Sequence, residues 1–251
     1  MHNPIYPVPD REYVTHRYRG REILVIAHRG GGDLFSENTM SAFKGVEKLG
    51  VDAVECDVQV TKDGNLAVIH DPDLKRTAGI DMKVRDLETS ELKKIKVGGN
   101  EDIPMLEDVF DAIHIPLVIE LKSMETAGSL IKLFTKRPEL LARSVIISFF
   151  HDALLMMKNR FPDIKCGALI AGFPVDPVYM VKQCECGIIA INYEGLTSSY
   201  VDRCHKGGLQ VSVWAPDDIR GISESLNAGV DAIGSDRPDI VIKLIESDHG
   251  T

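Results

Sequence analysis

The sequence predicts an α/β protein, a TIM-type (β/α)8 barrel with a small insertion, and three observations support this. Apolar runs of strand length alternate with segments of helical periodicity along most of the chain, and repeated β-then-α units build a parallel sheet. About eight such units fit into 251 residues, the size of one barrel domain. Charged residues close the runs at four separate places: Ile26-Ala27-His28-Arg29-Gly30, Val54-Glu55-Cys56-Asp57-Val58, Val68-Ile69-His70-Asp71 and Val118-Ile119-Glu120-Leu121-Lys122. Groups spread over several strand ends suit a barrel rim. The single crevice of a doubly wound sheet is the alternative, but no Gly-x-Gly-x-x-Gly turn follows the first strand. Residues 1–251 are therefore expected to form one domain.

Taken in order, residues 1–20 carry Pro4, Pro7 and Pro9 and read as a loosely structured lead-in. Residues 23–27 are apolar at every position, as a strand covered on both faces should be. Residues 39–49 place Phe43, Val46 and Leu49 at helical spacing before Gly50, a stop signal. Strand-like runs recur near 53–60, 66–70, 117–121, 145–149, 166–170, 188–192, 210–214 and 231–234, nine with the first and one too many for a barrel. The link Thr61-Lys62-Asp63-Gly64 is a hairpin signal, so one arm of that pair is expected to be antiparallel and no regular stave. A turn centred on Lys62-Asp63 would set His70 opposite Glu55. The stretch 71–116 exceeds a usual βα loop. It reads as an insertion over the barrel mouth, then a helix at 106–113. Further helices are expected near 125–136, 151–160, 176–185, 197–206 and 217–228. Gly187, Gly207-Gly208 and Gly229 stand where left-handed caps are wanted.

Composition narrows the function classes. A net charge of −9 argues against nucleic-acid binding, which needs excess Lys and Arg. No apolar run nears the ~18 residues of a membrane span, and the first residues lack a signal-peptide core. Five cysteines without framework spacing favour reduced thiols and a cytoplasmic protein. Cys184-Glu185-Cys186 has no second Cys or His pair nearby in sequence, which favours structural thiols over a metal clip. Nothing in the pattern specifies an oligomeric state.

The four charged clusters carry the chemistry. Residues two apart on a strand share a face, so Glu55 and Asp57 project together, as do Glu120 and Lys122. Three converging carboxylates suit a hard divalent cation, Mg²⁺ or Ca²⁺, rather than Zn²⁺. The competing reading is an ion network in which Glu55 and Asp57 pair with Arg29 and Lys122. His28 and His70 weigh against it, because two imidazoles beside carboxylates and cations suit acid–base work near neutral pH. Arg29 and Lys122 are then anion holders, and Gly30-Gly31-Gly32 would free backbone N–H groups for a ligand.

The ordered string of motifs resembles the glycerophosphodiester phosphodiesterase family. It comprises His28-Arg29-Gly30, Glu37-Asn38-Thr39, Glu55-x-Asp57, Thr61-Lys62-Asp63-Gly64 and His70-Asp71 with Arg76-Thr77. It continues through Glu120-Leu121-Lys122, Trp214 and Gly229-Val230-Asp231-Ala232 to Ser235-Asp236-x-Pro238, and spans about residues 24–243. The resemblance implies a TIM-type barrel and divalent-metal-dependent hydrolysis of a small glycerophosphodiester substrate to sn-glycerol 3-phosphate and an alcohol. It implies His28 and His70 as the acid–base pair, Glu55, Asp57 and Glu120 as ligands of one Mg²⁺ or Ca²⁺ (or Mn²⁺), and Arg29 and Lys122 as phosphate contacts. Trp214 would line the pocket, unless it is a core aromatic. Departures are Ser36, where the family usually has Pro, and Ala215-Pro216-Asp217, where it usually reads Thr-x-Asn; Asp217 would alter the head group accepted. A lysophospholipase D-like activity is the alternative, with Phe149, Phe150, Phe173 and Met105 forming an apolar groove.

Overall fold

The computed structural model of the protein describes residues 16–248. Eight parallel strands form its barrel: β2 (Arg21–Ala27), β3 (Ala53–Val60), β7 (Leu117–Leu121), β8 (Ser144–Ser148), β9 (Lys165–Ile170), β10 (Ile188–Asn192), β11 (Gln210–Trp214) and β12 (Ala232–Ser235). Each pairs in parallel with the next, and β12 pairs with β2 to close the ring. Closure leaves no exposed barrel edge. Inward-facing Ile26, Ala53, Val118, Val145, Ile188 and Ala232 make the apolar plug. Outward-facing positions pack against the helices in a larger core.

The surplus strand is β4 (Leu66–Val68), which runs antiparallel to β3 outside the ring. This bears out the hairpin but corrects its register. Thr61 N–H donates to Asn65 O and Gly64 takes φ 84°, so the loop has three residues and centres on Asp63. Val58 then faces Val68, and Ile69 N–H donates to Asp57 O, so Asp57 rather than Glu55 meets the end of the arm. The strand stops at Val68, and the Gln59 side-chain amide holds the His70 carbonyl at 2.9 Å.

Helices α1 (Met40–Leu49), α5 (Met124–Lys136), α8 (Ser198–Lys206) and α9 (Ile219–Ala228) start behind Thr39, Ser123, Thr197 and Asp218. The side-chain oxygen of each accepts an orphan N–H of the first turn. Gly50 and Gly229 end α1 and α9 in the left-handed region. After α7 (Pro177–Gln183), Glu185 at φ 55° takes that conformation in place of the expected Gly187, and after α8 Gly208 does. The helix α6 (His151–Arg160) falls as expected. Missed were α10 (Pro238–Asp248), with Pro238 in its first turn, and β1 (His16–Tyr18), which pairs antiparallel with β2 where a lead-in was expected. Residues 1–15 lie outside the described residues.

The insertion holds α2 (Lys75–Ala78), α3 (Thr89–Leu92), the ribbon β5 (Lys96–Val97) and β6 (Glu101–Asp102), and then α4 (Leu106–Ala112). It has a small core of its own, including Leu74, Val84, Leu92 and Ile103. Ser36 and Ser41 bond Gly98 O and Glu101, so the insertion is tied to the loop after β2 and the start of α1. None of residues 71–116 lines the barrel cavity itself. Among the described residues no helix is long and apolar enough to cross a membrane.

Candidate active site

A cavity of about 420 Å³ opens at the C-terminal ends of the barrel strands. One side is polar, formed by His28, Arg29, Glu55, His70, Glu120 and Lys122; the other is mainly apolar, with Ile147, Phe149, Leu169, Ile188, Val213 and Trp214, but also carries Asn192, Glu194 and Ser212. The strand register explains the polar side. Asp57 and Glu120 are direct partners across β3 and β7, and Glu55 shares the inward face with Asp57. One oxygen from each of Glu55, Asp57 and Glu120 lies within 4.8 Å of the others, and all three residues are buried. Lys122 reaches Asp57 Oδ1 at 2.8 Å and Glu120 Oε1 at 2.6 Å. Arg29 donates its backbone N–H to Glu55 Oε2 (2.8 Å), and its guanidinium meets Asp57 Oδ2 at 3.4 Å. The expected ion network therefore exists, but it is incomplete: two cations face three carboxylates.

The electrostatics register the deficit. Burial and the Asp57 charge push the Glu55 carboxyl up to about 8, and burial raises Glu120 against the pull of Lys122. Burial also opposes the Asp57 charge, but Lys122 and Arg29 outweigh it and hold this carboxyl at about 2. Glu55 Oε1 is buried with no hydrogen-bond partner. A buried carboxylate oxygen without a partner is costly. A dication among these oxygens removes both the missing partner and the like-charge repulsion, and an all-oxygen donor set suits a hard ion.

Each histidine has a carboxylate behind it. His28 Nδ1 lies 2.9 Å from Asp236 Oδ1, and His70 Nδ1 lies 2.7 Å from Asp71 Oδ1. An ionised carboxylate only accepts, so both Nδ1 atoms carry hydrogen and Nε2 is left for the cavity that both rings line. Burial would lower the His28 imidazole, but the Asp236 bond and the charges of Glu55 and Asp236 push it up to about 9. Asp236 is held in turn by Gly32 N–H at 3.2 Å, and its own N–H donates to Asp217 Oδ1 at 2.7 Å. Asp217 therefore faces Ser235 and Asp236, and it is not among the residues that line the cavity.

The glycines after Arg29 also act differently from expectation. Gly31 N–H goes to His28 O and Gly32 N–H to Asp236, so neither is free for a ligand. A Cβ on Gly30 would stand 2.9 Å from the Phe43 ring, and one on Gly32 would stand 2.8 Å from Asp236 Oδ1. Close packing demands these glycines. Trp214 lines the cavity edge-to-face with Phe149, ring centroids 5.8 Å apart, and its indole Nε1 is buried without a partner. Met105 is buried in the insertion's core and forms no part of the cavity groove.

The structure thus gathers all seven predicted polar residues at one rim, and Trp214 opposite them. Sequence reasoning gave no role to Asp236, Asp71 or Asn38. Asn38 donates to Asp57 Oδ2 at 2.8 Å, and its own Oδ1 accepts from the Asp57 backbone N–H, which holds the amide in place beside that carboxylate. Asp236 obeyed the rule used for the other clusters, a charge closing an apolar run (Ala232-Ile233-Gly234-Ser235-Asp236), and was legible by it.

Fold and rim together place the chain among barrel enzymes that act on phosphate esters. Residues 28–240 match the glycerophosphoryl diester phosphodiesterase family. The chain is 35% identical over 237 residues to a glycerophosphodiester phosphodiesterase of Caldanaerobacter subterraneus, with 88% of this chain and 97% of that protein covered. An Oleispira antarctica phosphodiesterase, solved with the product sn-glycerol 3-phosphate, superposes with a TM-score of 0.81 at 25% identity, covering 91% of this chain and 97% of that one. A lysophospholipase D of Homo sapiens is 38% identical over 111 residues, 39% of this chain and 35% of that protein. The chain belongs to the glycerophosphoryl diester phosphodiesterase family and is a phosphodiester hydrolase.

Proposed function

We propose that the protein hydrolyses glycerophosphodiesters to sn-glycerol 3-phosphate and an alcohol, using a divalent cation held by Glu55, Asp57 and Glu120. The observation that carries this reading is two carboxylate-backed histidines lining the same cavity as a buried, under-compensated carboxylate trio. Its donor set suits Mg²⁺, Mn²⁺ or Ca²⁺. Bound there, the ion supplies Lewis-acid neutralisation of the phosphate charge.

The chain's own residues do the rest. Arg29 and Lys122 add positive charge beside the phosphate and stabilise negative charge growing on its oxygens. One histidine takes a proton at Nε2 from the attacking oxygen, which is water or the substrate's own 2-hydroxyl. The other gives a proton from Nε2 to the leaving alkoxide. Where the 2-hydroxyl attacks, a cyclic phosphate forms first and water then opens it to sn-glycerol 3-phosphate, with the two histidines exchanging roles. Asp236 and Asp71 hold the rings in the tautomer that leaves Nε2 available for this exchange. Trp214 and Phe149 form the apolar wall opposite the charged rim.

The test is sn-glycerol 3-phosphate release from glycerophosphocholine, glycerophosphoethanolamine and glycerophosphoglycerol with Mg²⁺, Mn²⁺ or Ca²⁺. Release that stops in EDTA and returns with metal is expected. Full activity in EDTA would remove the metal, and no release from any diester would remove the substrate class. The apolar half of the cavity, with Phe149 and Phe150 exposed at the adjoining strand end, supports a lysophospholipase D reading second. Faster cleavage of lysophosphatidylcholine than of glycerophosphocholine would favour it.

A further inference from the structure

We propose that Arg76, on α2 of the insertion, is a positioning residue for this hydrolysis and locks the His70–Asp71 pair to the Arg29–Glu37 pair. The inference rests on the hydrolytic reading above. Arg76 Nε donates to Asp71 Oδ2 at 2.6 Å, while its two terminal nitrogens meet Glu37 Oε2 at 2.8 Å and Oε1 at 2.7 Å. The other Asp71 oxygen takes His70 Nδ1, and Glu37 Oε1 also meets Arg29 at 3.5 Å. One guanidinium plane therefore fixes two carboxylates, and each of those touches a residue of the cavity rim. Asp71 has both oxygens engaged, so its carboxylate cannot rotate without breaking a bond to Arg76 or to His70. Only Arg supplies three coplanar N–H donors; a Lys ammonium is a point charge.

The competing explanation is a surface ion cluster, since the Arg76 side chain is 49% exposed. Exposed ion pairs add little stability, so that explanation predicts little change in anything. The positioning role predicts a specific one. The insertion, none of whose residues 71–116 lines the cavity, would act on the reaction through Asp71 and, behind it, Arg76.

Arg76→Ala and Arg76→Lys test it, alone and in an Asp71→Asn background. The kcat should fall roughly tenfold to a hundredfold, the loss seen when outer partners of a catalytic group are removed, with a smaller change in KM and no drop in thermal midpoint. Lys should not rescue. On Asp71→Asn the further loss should shrink to about threefold or less, because Arg76 acts through Asp71. The ¹⁵N spectrum of the His70 ring in substrate-free protein provides the arm independent of activity. Wild type should show Nδ1–H, and both variants a mixture of tautomers. An unchanged His70 spectrum overturns the proposal even if the substrate class is right. Unchanged kcat, or a full loss on Asp71→Asn, overturns it as well. A shifted spectrum in an enzyme that cleaves no glycerophosphodiester would sink the hydrolytic reading and leave the Arg76 linkage standing.

Discussion

The two ends of the barrel both anchor carboxylates, and they use them differently. At the N-terminal end the tetrapeptide Gly-Val-Asp-Ala occurs twice, at 50–53 and 229–232, with the same local structure each time. The glycine ends a helix in the left-handed region (φ 89° and 96°), the valine is buried, and the aspartate bonds a backbone N–H of the neighbouring strand. Asp52 accepts from Val25 N–H and Asp231 from Val211 N–H, both at 2.7 Å. Each works alone. At the C-terminal end Glu55, Asp57 and Glu120 crowd together, short of positive charge, beside two histidines. Burial of a carboxylate is thus no sign of function in itself; convergence of several is.

The largest effects should follow from the histidines. General acid–base help is worth ~10²–10⁴-fold, or roughly 3–5 kcal/mol. His28→Ala and His70→Ala should each lower kcat by that much in steady-state assays, with far-UV circular dichroism and thermal midpoint near wild type. A folded His70→Ala protein that turns over at the wild-type rate would erase the functional contrast between the two ends.

How far this contrast was legible depends on distance along the chain. Glu55, Asp57 and Glu120 could be grouped because period-2 alternation sets the face of each strand, and parallel pairing of β3 with β7 then sets Asp57 beside Glu120. His28 and Asp236 are 208 residues apart, and only closure of β12 onto β2 brings them together. The Thr61–Asn65 loop shows the limit of local counting. One residue more in the turn moved the expected partner of His70 from Glu55 to the neighbourhood of Asp57, because strand register shifts with loop length. Within the insertion, Leu87, Leu92 and Ile95 stand at near-helical spacing around α3, but α2 and α3 run only four residues each, too short for periodicity to set their bounds.

An intermediate effect concerns metal and stability at the C-terminal end. With no cation, Glu55 is a carboxyl pushed up by burial and by Asp57. Glu55→Gln removes one acidic group from the trio, so the metal-free variant should be at least as stable as wild type. Added Mg²⁺, Mn²⁺ or Ca²⁺ stabilises a protein that binds it by ~2.7 kcal/mol at a hundredfold over Kd. Differential scanning fluorimetry should show that gain in wild type and most of it lost in Glu55→Gln. An equal gain in both would place the ion elsewhere.

The smallest effect should come from the N-terminal end, and it should appear in stability alone. Burial pushes the Asp52 carboxyl up to about 7, only partly offset by the Val25 N–H bond. A carboxyl whose folded value exceeds its unfolded value, ordinarily near 3.9, is bound more tightly by protons in the folded state. Its contribution is therefore full below about pH 4, declines as pH rises, and is gone above about pH 7. Asn cannot ionise, and its Oδ1 still accepts from Val25 N–H. Asp52→Asn should accordingly match wild type in acid and exceed it near pH 8, measured by urea unfolding across pH. The kcat should be unchanged, because Asp52 lies at the opposite end of the strands from the histidines. A loss of turnover in Asp52→Asn, with the stability trend absent, would mean that the two ends are coupled and that the division of labour drawn here is wrong.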